Sequence, residues 1–117
     1  GAVKLMRFAS SWMRVDSATR DIWIMIRLNC FLQVGDGRFQ EALSAARSLV
    51  VASLEQDGCI DYDVFTSATR PDVLMICETW RDDQALADHA ASEPFAKYAV
   101  VLHNAGAMKV EKFIFNP

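Results

Sequence analysis

A chain of 117 residues has the length of one domain, long enough to bury roughly two thirds of its unfolded surface. With 52% hydrophobic and 23% charged residues, its composition is that of a soluble globular protein and not of a disordered one. A formal net charge of -3 argues against nucleic acid as a partner, because duplex binding needs a basic surface. No apolar run approaches the roughly 20 residues of a membrane span, so no membrane association is expected.

The first 20 residues differ from the rest in their charge. Lys4, Arg7 and Arg14 all come before the first acidic residue, Asp16. We predict that residues 1–20 form an N-terminal arm or a short helix that packs on the domain or on a partner subunit. Such packing would cover Phe8 and Trp12. A targeting presequence has a similar composition. The domain itself is predicted to span residues 21–117.

The first half of the domain contains a strand followed by a helix. Asp21 to Leu32 is rich in β-branched and aromatic residues, which favours a long strand. From Phe39 to Leu54 the apolar residues recur at helical spacing, which predicts an amphipathic helix of about five turns. Asp57-Gly58 is a typical helix stop.

The second half contains three more strands and two short helices. Cys59–Thr66 and Val73–Trp80 are predicted to be antiparallel, because the loop between them is too short for a crossover. Asp82 or Asp83 begins a helix that runs to about Ala90. Ser92 begins another, with Pro94 in its first turn, and residues 107–115 form the last strand.

The resulting order is β-α-β-β-α-β, which predicts an α+β ferredoxin-like fold with a four-stranded antiparallel sheet. Its helices cover one face of the sheet, so the other face needs a cover. Because the third strand is apolar on both sides, we predict that a second copy supplies it, as a homodimer joined through the sheet faces in a dimeric α/β barrel.

The cysteines and histidines show no metal-binding spacing. Cys30, Cys59 and Cys77 are widely separated, which favours free buried thiols in the reducing cytoplasm over a disulfide framework or a zinc site. His89 and His103 lie fourteen residues apart without a neighbouring ligand pair. We therefore predict no metal site.

Strand parity brings several chemical side chains together. Alternate residues of a strand share one face, so Glu78 and Trp80 point the same way, and Tyr62 joins them from the neighbouring strand. If that face meets the helices, it lies beneath His89. A carboxylate and an imidazole beside an aromatic wall are suited to proton transfer on a flat aromatic molecule.

Each of these side chains also has an ordinary structural explanation. Trp80 could be core packing, and the Tyr62 hydroxyl could bond a backbone carbonyl. Glu78 could pair with Arg27 or Lys112 across the sheet. His89 could lie on the surface of its helix, and His103 is expected to be a helix-end residue.

The chain resembles the antibiotic biosynthesis monooxygenase family over about residues 21–115. The resemblance is carried by the segments Gly58-Cys59-Ile60-x-Tyr62-x-Val64-Phe65, Glu78-x-Trp80-x-Asp82-x-x-Ala85-Leu86-x-x-His89 and Ser92-x-Pro94-Phe95. It implies a small dimeric ferredoxin-like protein from a family that includes quinol and anthrone monooxygenases. The same fold also hosts heme-degrading enzymes and a phosphorylated-sugar isomerase.

The resemblance to individual members of the family is partial. Trp80 stands where the anthrone-oxidising members have a pocket tryptophan, but Ile76 and Leu86 replace their asparagine and tyrosine. Asn29 matches an asparagine of the heme-degrading members. His89 stands at their tryptophan and Ala99 at their heme-ligating histidine, so heme degradation is not expected.

Together these arguments predict a cofactor-independent monooxygenase that oxidises a quinol or polycyclic phenol with O2. Its expected catalytic residues are His89 and Glu78, and the expected substrate contacts are Trp80, Tyr62, Asn29, Phe95 and Tyr98. No cofactor is expected, because the protein would supply a base, a dry pocket and orientation. A proton-shuttling isomerase and a non-catalytic ligand-binding dimer are the alternatives.

Overall fold

The computed structural model describes residues 24–116 in full and only the backbone strands of the N-terminal segment. There β1 (Val3–Phe8) and β2 (Ser11–Asp16) pair as an antiparallel ladder. A short helix was therefore the wrong expectation for this segment. The Phe8 and Trp12 side chains lie outside the described residues, and the division into an arm and a domain at residue 20 stays a prediction.

The domain follows the predicted order, with its second helical region divided in two. Its elements are β3 (Met25–Val34), α1 (Phe39–Leu54), β4 (Cys59–Thr66), β5 (Val73–Trp80), α2 (Asp83–Ala90), α3 (Glu93–Ala105) and β6 (Gly106–Phe115). β3 ends two residues later than predicted. Polar Gln33 is exposed and Val34 is buried, so the strand continues its alternation past Leu32. Of the predicted strand, residues 21–23 lie outside the described residues.

The sheet has the order β4-β5-β3-β6, and each adjacent pair is antiparallel. This is the ferredoxin-like α+β arrangement that the element order predicted. The helices pack on one face, and a single apolar core joins that face to α1 and α3. The sheet contributes residues such as Leu32 and Trp80 to this core, and α1 and α3 contribute Leu49 and Leu102.

Sheet register fixes which side chains face the helices. Tyr62 of β4 is directly opposite Glu78 of β5, which in turn pairs with Leu28 of β3. These three residues share the helix-facing side with the core. The intervening residues, including Arg27 and Thr79, occupy the opposite face.

Side-chain caps hold the two short helices above the sheet. Asp82 precedes α2, and its Oδ1 accepts a hydrogen bond from the Ala85 amide at 2.8 Å. Ser92 caps α3 by accepting from the Phe95 amide at 3.4 Å, and the Ser92 hydroxyl also donates to the His89 carbonyl at 2.6 Å. The last residues of α2 are thereby tied to the start of α3.

Two glycines permit close approaches beside these helices. Gly58 has a φ of 81°, and a side chain there would collide with Ala85 of α2. At Gly106 a side chain would collide with the Gln33 backbone. Within residues 24–116 and the two N-terminal strands, no helix is long and apolar enough to cross a membrane.

Candidate active site

A cavity of about 360 Å³ lies between the helix-facing side of the sheet and the α2–α3 pair. Its volume is in the usual range for small-molecule sites. Most of the wall is aliphatic or aromatic. The apolar part of the wall includes Leu28, Ile76, Leu86, Phe95, Ala99 and Val110.

The floor of the cavity contains a buried carboxyl group. Glu78 is 5% exposed, and its Oε1 accepts a hydrogen bond from Trp80 Nε1 at 2.9 Å. Arg27 instead donates to Thr79 on the opposite face, and Lys112 pairs with Asp83. The expected alternative of a cross-sheet ion pair for Glu78 is therefore not observed.

Burial changes the acidity of this floor. It raises the pKa of Glu78 to about 7, although hydrogen bonds from Trp80 and Tyr62 partly oppose the rise. Burial also raises the pKa of the Tyr62 phenol, so that group stays neutral, and it raises the pKa of the Cys30 thiol to about 12. Glu78 is consequently the group on the floor that exchanges a proton near neutral pH.

His89 forms the roof above Trp80. Its side chain is 2% exposed, so it does not lie on the surface of α2. Its ring centroid is 4.5 Å from the Trp80 ring, 5.4 Å from Tyr62 and 5.1 Å from Phe95. Burial lowers the pKa of His89 to about 4, so the imidazole is neutral at physiological pH.

The two imidazole nitrogens of His89 have different surroundings. Nδ1 lies 2.7 Å from Oε1 of Gln56, a residue in the turn after α1. Nε2 is buried and has no hydrogen-bond partner among the described residues. An unpartnered polar atom on the wall of an apolar cavity is a natural contact for a bound molecule.

Four of the predicted catalytic and substrate residues lie together on the cavity wall. They are Tyr62, Glu78, His89 and Phe95. Trp80 supports them from beneath, through its hydrogen bond to Glu78 and its packing on the His89 ring. Two predicted contacts are not brought to the cavity. Asn29 alternates with Leu28 and Cys30 and therefore faces the other side of the sheet. Tyr98 packs beside the core, and its ring lies near Lys97.

Two further residues lie near the cavity that the sequence did not indicate as part of the site. Gln56 contacts His89 from a turn, and no local pattern distinguishes it from other polar turn residues. His103 does lie in the last turn of α3 as expected, but it is also exposed at the cavity mouth near Ala90 and Val110. Its spacing from Phe95 and Ala99 on α3 is the signal that could have found it.

Other parts of the domain offer less chemistry. A depression of about 390 Å³ near Phe31, Arg70 and Lys109 contains none of the predicted site residues. Cys30, Cys59 and Cys77 form no disulfide with one another in the described part of the chain, and all three are half-buried where full burial was expected. No group of three or more metal-ligating side chains converges in the part of the chain that the structure describes.

Comparisons with known proteins agree with the fold. The family model described as antibiotic biosynthesis monooxygenase matches residues 25–100, which include Tyr62, Glu78 and His89. The chain therefore belongs to the antibiotic biosynthesis monooxygenase family, as its resemblance indicated.

Individual relatives support the same assignment. The Bacillus subtilis protein named "Putative monooxygenase YcnE" is 31% identical over 71 residues, covering 61% of this chain and 75% of that protein. A Bacteroides thetaiotaomicron protein of unknown function, described as a possible oxidoreductase, is 46% identical with a TM-score of 0.76, over 78% of this chain and 97% of that one. A Nitrosomonas europaea structure named "Putative antibiotic biosynthesis monooxygenase" shares the fold at 16% identity and a TM-score of 0.72, over 80% and 89% of the two chains.

Proposed function

We propose that the protein is a cofactor-independent monooxygenase that oxidises a quinol or polycyclic phenol with O2. The observation that carries the proposal is the apolar cavity with a buried carboxyl and an unpartnered imidazole nitrogen on its wall. The flat aromatic surroundings suit a ring. The cavity size suits a molecule of a few fused rings.

The proposed chemistry begins with removal of a proton from the bound phenol. The pKa of Glu78 is about 7, close to the operating pH, which suits a group that takes and returns a proton. His89, with a pKa of about 4, is a weak base that holds the substrate hydroxyl by a hydrogen bond before the hydroxyl proton passes to Glu78. Glu78 is therefore the proposed base, and His89 orients the phenol.

The phenolate then reduces O2. One oxygen atom forms a new carbon–oxygen bond to the ring, the ring loses two hydrogens, and the second oxygen atom leaves as water. A phenol and O2 thus yield a quinone and water without a further reductant. The closed apolar wall keeps bulk water from the anion during this step.

The alternatives receive less support from the cavity. An isomerase acting on a phosphorylated sugar needs cations to hold the phosphate, whereas no lysine or arginine among the described residues lines the wall. A non-catalytic binder would be favoured by a pocket too small for a ring or by a solvent-facing His89. The cavity volume and the burial of His89 match neither of these features.

Oxygen consumption by purified protein tests the proposal. With a panel of naphthols and hydroquinones, the wild type should consume O2 and release the quinone. Glu78→Gln should lower the rate by about 100-fold or more, because general acid–base groups contribute that much. His89→Ala should also lose most of the activity.

The matched control is Asp88→Asn, an isosteric change of an exposed residue on the same helix as His89. It should turn over at the wild-type rate. Absence of turnover by the wild type across the panel, or full activity of Glu78→Gln, would contradict the proposal.

We also propose that the protein is a cytoplasmic homodimer joined through the sheet faces. Cys30, Cys59 and Cys77 form no disulfide within the described residues, which suits a reducing compartment. On the face away from the helices, Phe65 and Phe113 are about half exposed, at 51% and 49%. A two-fold partner would cover them.

Sedimentation of the wild type and of a Phe65→Glu, Phe113→Glu double variant tests the dimer. The wild type should sediment as a dimer and the double variant as a monomer. A monomeric wild type at micromolar concentration would contradict this proposal.

A further inference from the structure

The turn after α1 holds Gln56 in a fixed place beside α2. The backbone N–H of Gln56 donates to the backbone carbonyl of Ser53 at 3.0 Å, and the backbone carbonyl of Gln56 accepts from the backbone N–H of Cys59 at 3.1 Å. Gly58, two residues after Gln56, has a φ of 81° and lies close to Ala85. The Gln56 side chain therefore reaches the imidazole from an anchored backbone.

The backbone and the ring of His89 are both held in place. The backbone carbonyl of His89 accepts a hydrogen bond from the Ser92 hydroxyl at 2.6 Å, and the His89 ring contacts those of Trp80 and Phe95. A half-turn of the ring would bring Cδ2 to the place of Nδ1 and break the 2.7 Å contact with Gln56. Nδ1 thus stays with Gln56, while Nε2 lies at the distal end of the ring of a residue that lines the cavity.

The contact with Gln56 determines which nitrogen carries the proton. Oε1 of Gln56 is an acceptor, so Nδ1 of a neutral His89 must donate across the 2.7 Å contact. Nε2 then bears a lone pair. It is buried without a partner among the described residues, on a wall whose other groups are mostly apolar.

We propose that Gln56 is a positioning residue that fixes the tautomer of His89, and that the cavity selects aromatic ligands by a hydroxyl or amino hydrogen donated to Nε2. This deepens the proposed function by naming the recognised group, and it rests on that function only for the aromatic character of the ligand. The site therefore discriminates a phenol from its methyl ether, which has the same ring but no hydrogen to donate.

Nitrogen-15 NMR of the imidazole tests the first half without any ligand. At neutral pH the wild type should show a protonated Nδ1 and an unprotonated Nε2. Gln56→Leu should lose this preference, and Gln56→Glu should keep it, because a carboxylate also accepts from Nδ1. A protonated Nε2 in the wild type would overturn the proposal.

Gln56→Glu should also raise the pKa of His89 in the same NMR titration, because the new carboxylate stabilises the imidazolium. The titratable groups near the ring are Glu78 and Cys30 on the wall, Tyr62 beneath, His103 at the mouth and Asp88 preceding it on α2. None of them changes in this variant, so the shift reports the Gln56 contact.

Calorimetric binding under anaerobic conditions tests the second half. The wild type should bind 2-naphthol at least about tenfold more tightly than 2-methoxynaphthalene. Gln56→Leu should reduce this preference severalfold, and the matched control Gln84→Leu, an exposed glutamine on α2, should retain it. Near-equal affinities for the two compounds, or no binding of either, would overturn the proposal.

Neither measurement requires oxygen or turnover. A protein that binds the naphthol selectively but does not oxidise it would refute the proposed monooxygenase and leave this inference standing. Conversely, turnover without the tautomer preference would refute this inference alone. Unchanged melting temperatures of the Gln56 variants would show that the results do not reflect misfolding.

Discussion

The two faces of β5 differ in how they treat buried polar groups. Glu78 and Thr79 are adjacent and almost completely buried, at 5% and 1% exposure, but they face opposite sides of the sheet. The Thr79 hydroxyl accepts a hydrogen bond from Arg27 Nε at 2.7 Å. Glu78 lines a cavity together with His89, whose Nε2 has no hydrogen-bond partner within the described part of the chain.

The two faces therefore differ in whether their buried polar groups are paired within the fold. On the outer face, the Arg27–Thr79 hydrogen bond is complete within the fold. On the helix-facing side, Nε2 of His89 has no hydrogen-bond partner among the described residues, and the pKa of Glu78 is raised to about 7. A completed hydrogen bond stabilises the fold, whereas an unpaired buried group is a candidate contact for a ligand.

The largest effect that would sharpen this comparison is expected at Trp80. Trp80→Ala should lower the free energy of unfolding by about 3–5 kcal/mol, because it empties a fully buried position and removes the donor to Glu78. Phe65→Ala on the opposite face should cost less than about 1 kcal/mol in a monomer, since half of that ring is exposed. Urea denaturation measures both.

At concentrations where the proposed dimer forms, the cost of Phe65→Ala should be larger and should depend on protein concentration, because the second copy covers the ring. A large cost that does not depend on protein concentration would break the comparison, because it would show that the outer face is buried within one chain.

The next effect concerns pH. The pKa of Glu78 in the folded protein, about 7, lies above the ordinary 4.5, so the native state binds this proton more tightly than the unfolded chain. Its stabilising contribution is therefore full below about pH 4.5 and is lost as the pH rises through 7. The stability difference between wild type and Glu78→Gln should shift by up to about 3 kcal/mol from pH 4.5 to 8, in favour of the variant.

His89 contributes the opposite slope. Its pKa is lowered to about 4 from 6.5, so its contribution is full above pH 6.5 and is lost as the pH falls through 4. Because His89 is present in both proteins, its effect cancels in the difference between wild type and Glu78→Gln. A difference that does not vary with pH would show that Glu78 titrates like an exposed carboxyl.

The smallest effect is expected on the outer face. Thr79→Val leaves Arg27 Nε without its acceptor and should cost about 1–2 kcal/mol in urea denaturation. Thr79→Ser keeps the hydroxyl and serves as the matched control. Naphthol affinity should be unchanged in both variants. A loss of affinity in Thr79→Val would mean that the two faces are coupled.

Much of this fold was predictable because its signals are local. The predicted bounds of α1, β4 and β5 agree with the structure, since helical periodicity and the breakers around Gly58 and Pro71 fix them. Strand parity also correctly placed Tyr62, Glu78 and Trp80 on one face of the sheet, which the structure shows to be the helix-facing side. These predictions needed only the two-residue repeat of a strand.

The remaining site depended on information that is not local. Asn29 was misplaced because β3 carries apolar residues on both faces, which hides its alternation. Tyr98 falls beside the stripe of α3 that faces the cavity, which runs through Phe95, Ala99 and Leu102. The contact between Gln56 and His89 joins residues 33 positions apart, so only the packed fold brings them together.

Ile76 and Leu86 are where the anthrone-oxidising relatives would have an asparagine and a tyrosine, and both line the cavity. They extend from different elements, β5 and α2, and neither supports the fold by a hydrogen bond from its side chain. Under the proposed function, exchange of these two wall residues should therefore change which ring fits the cavity, while the backbone, Glu78 and His89 stay in place. The part of the cavity proposed to do the chemistry is thus separate from the part proposed to fit the substrate.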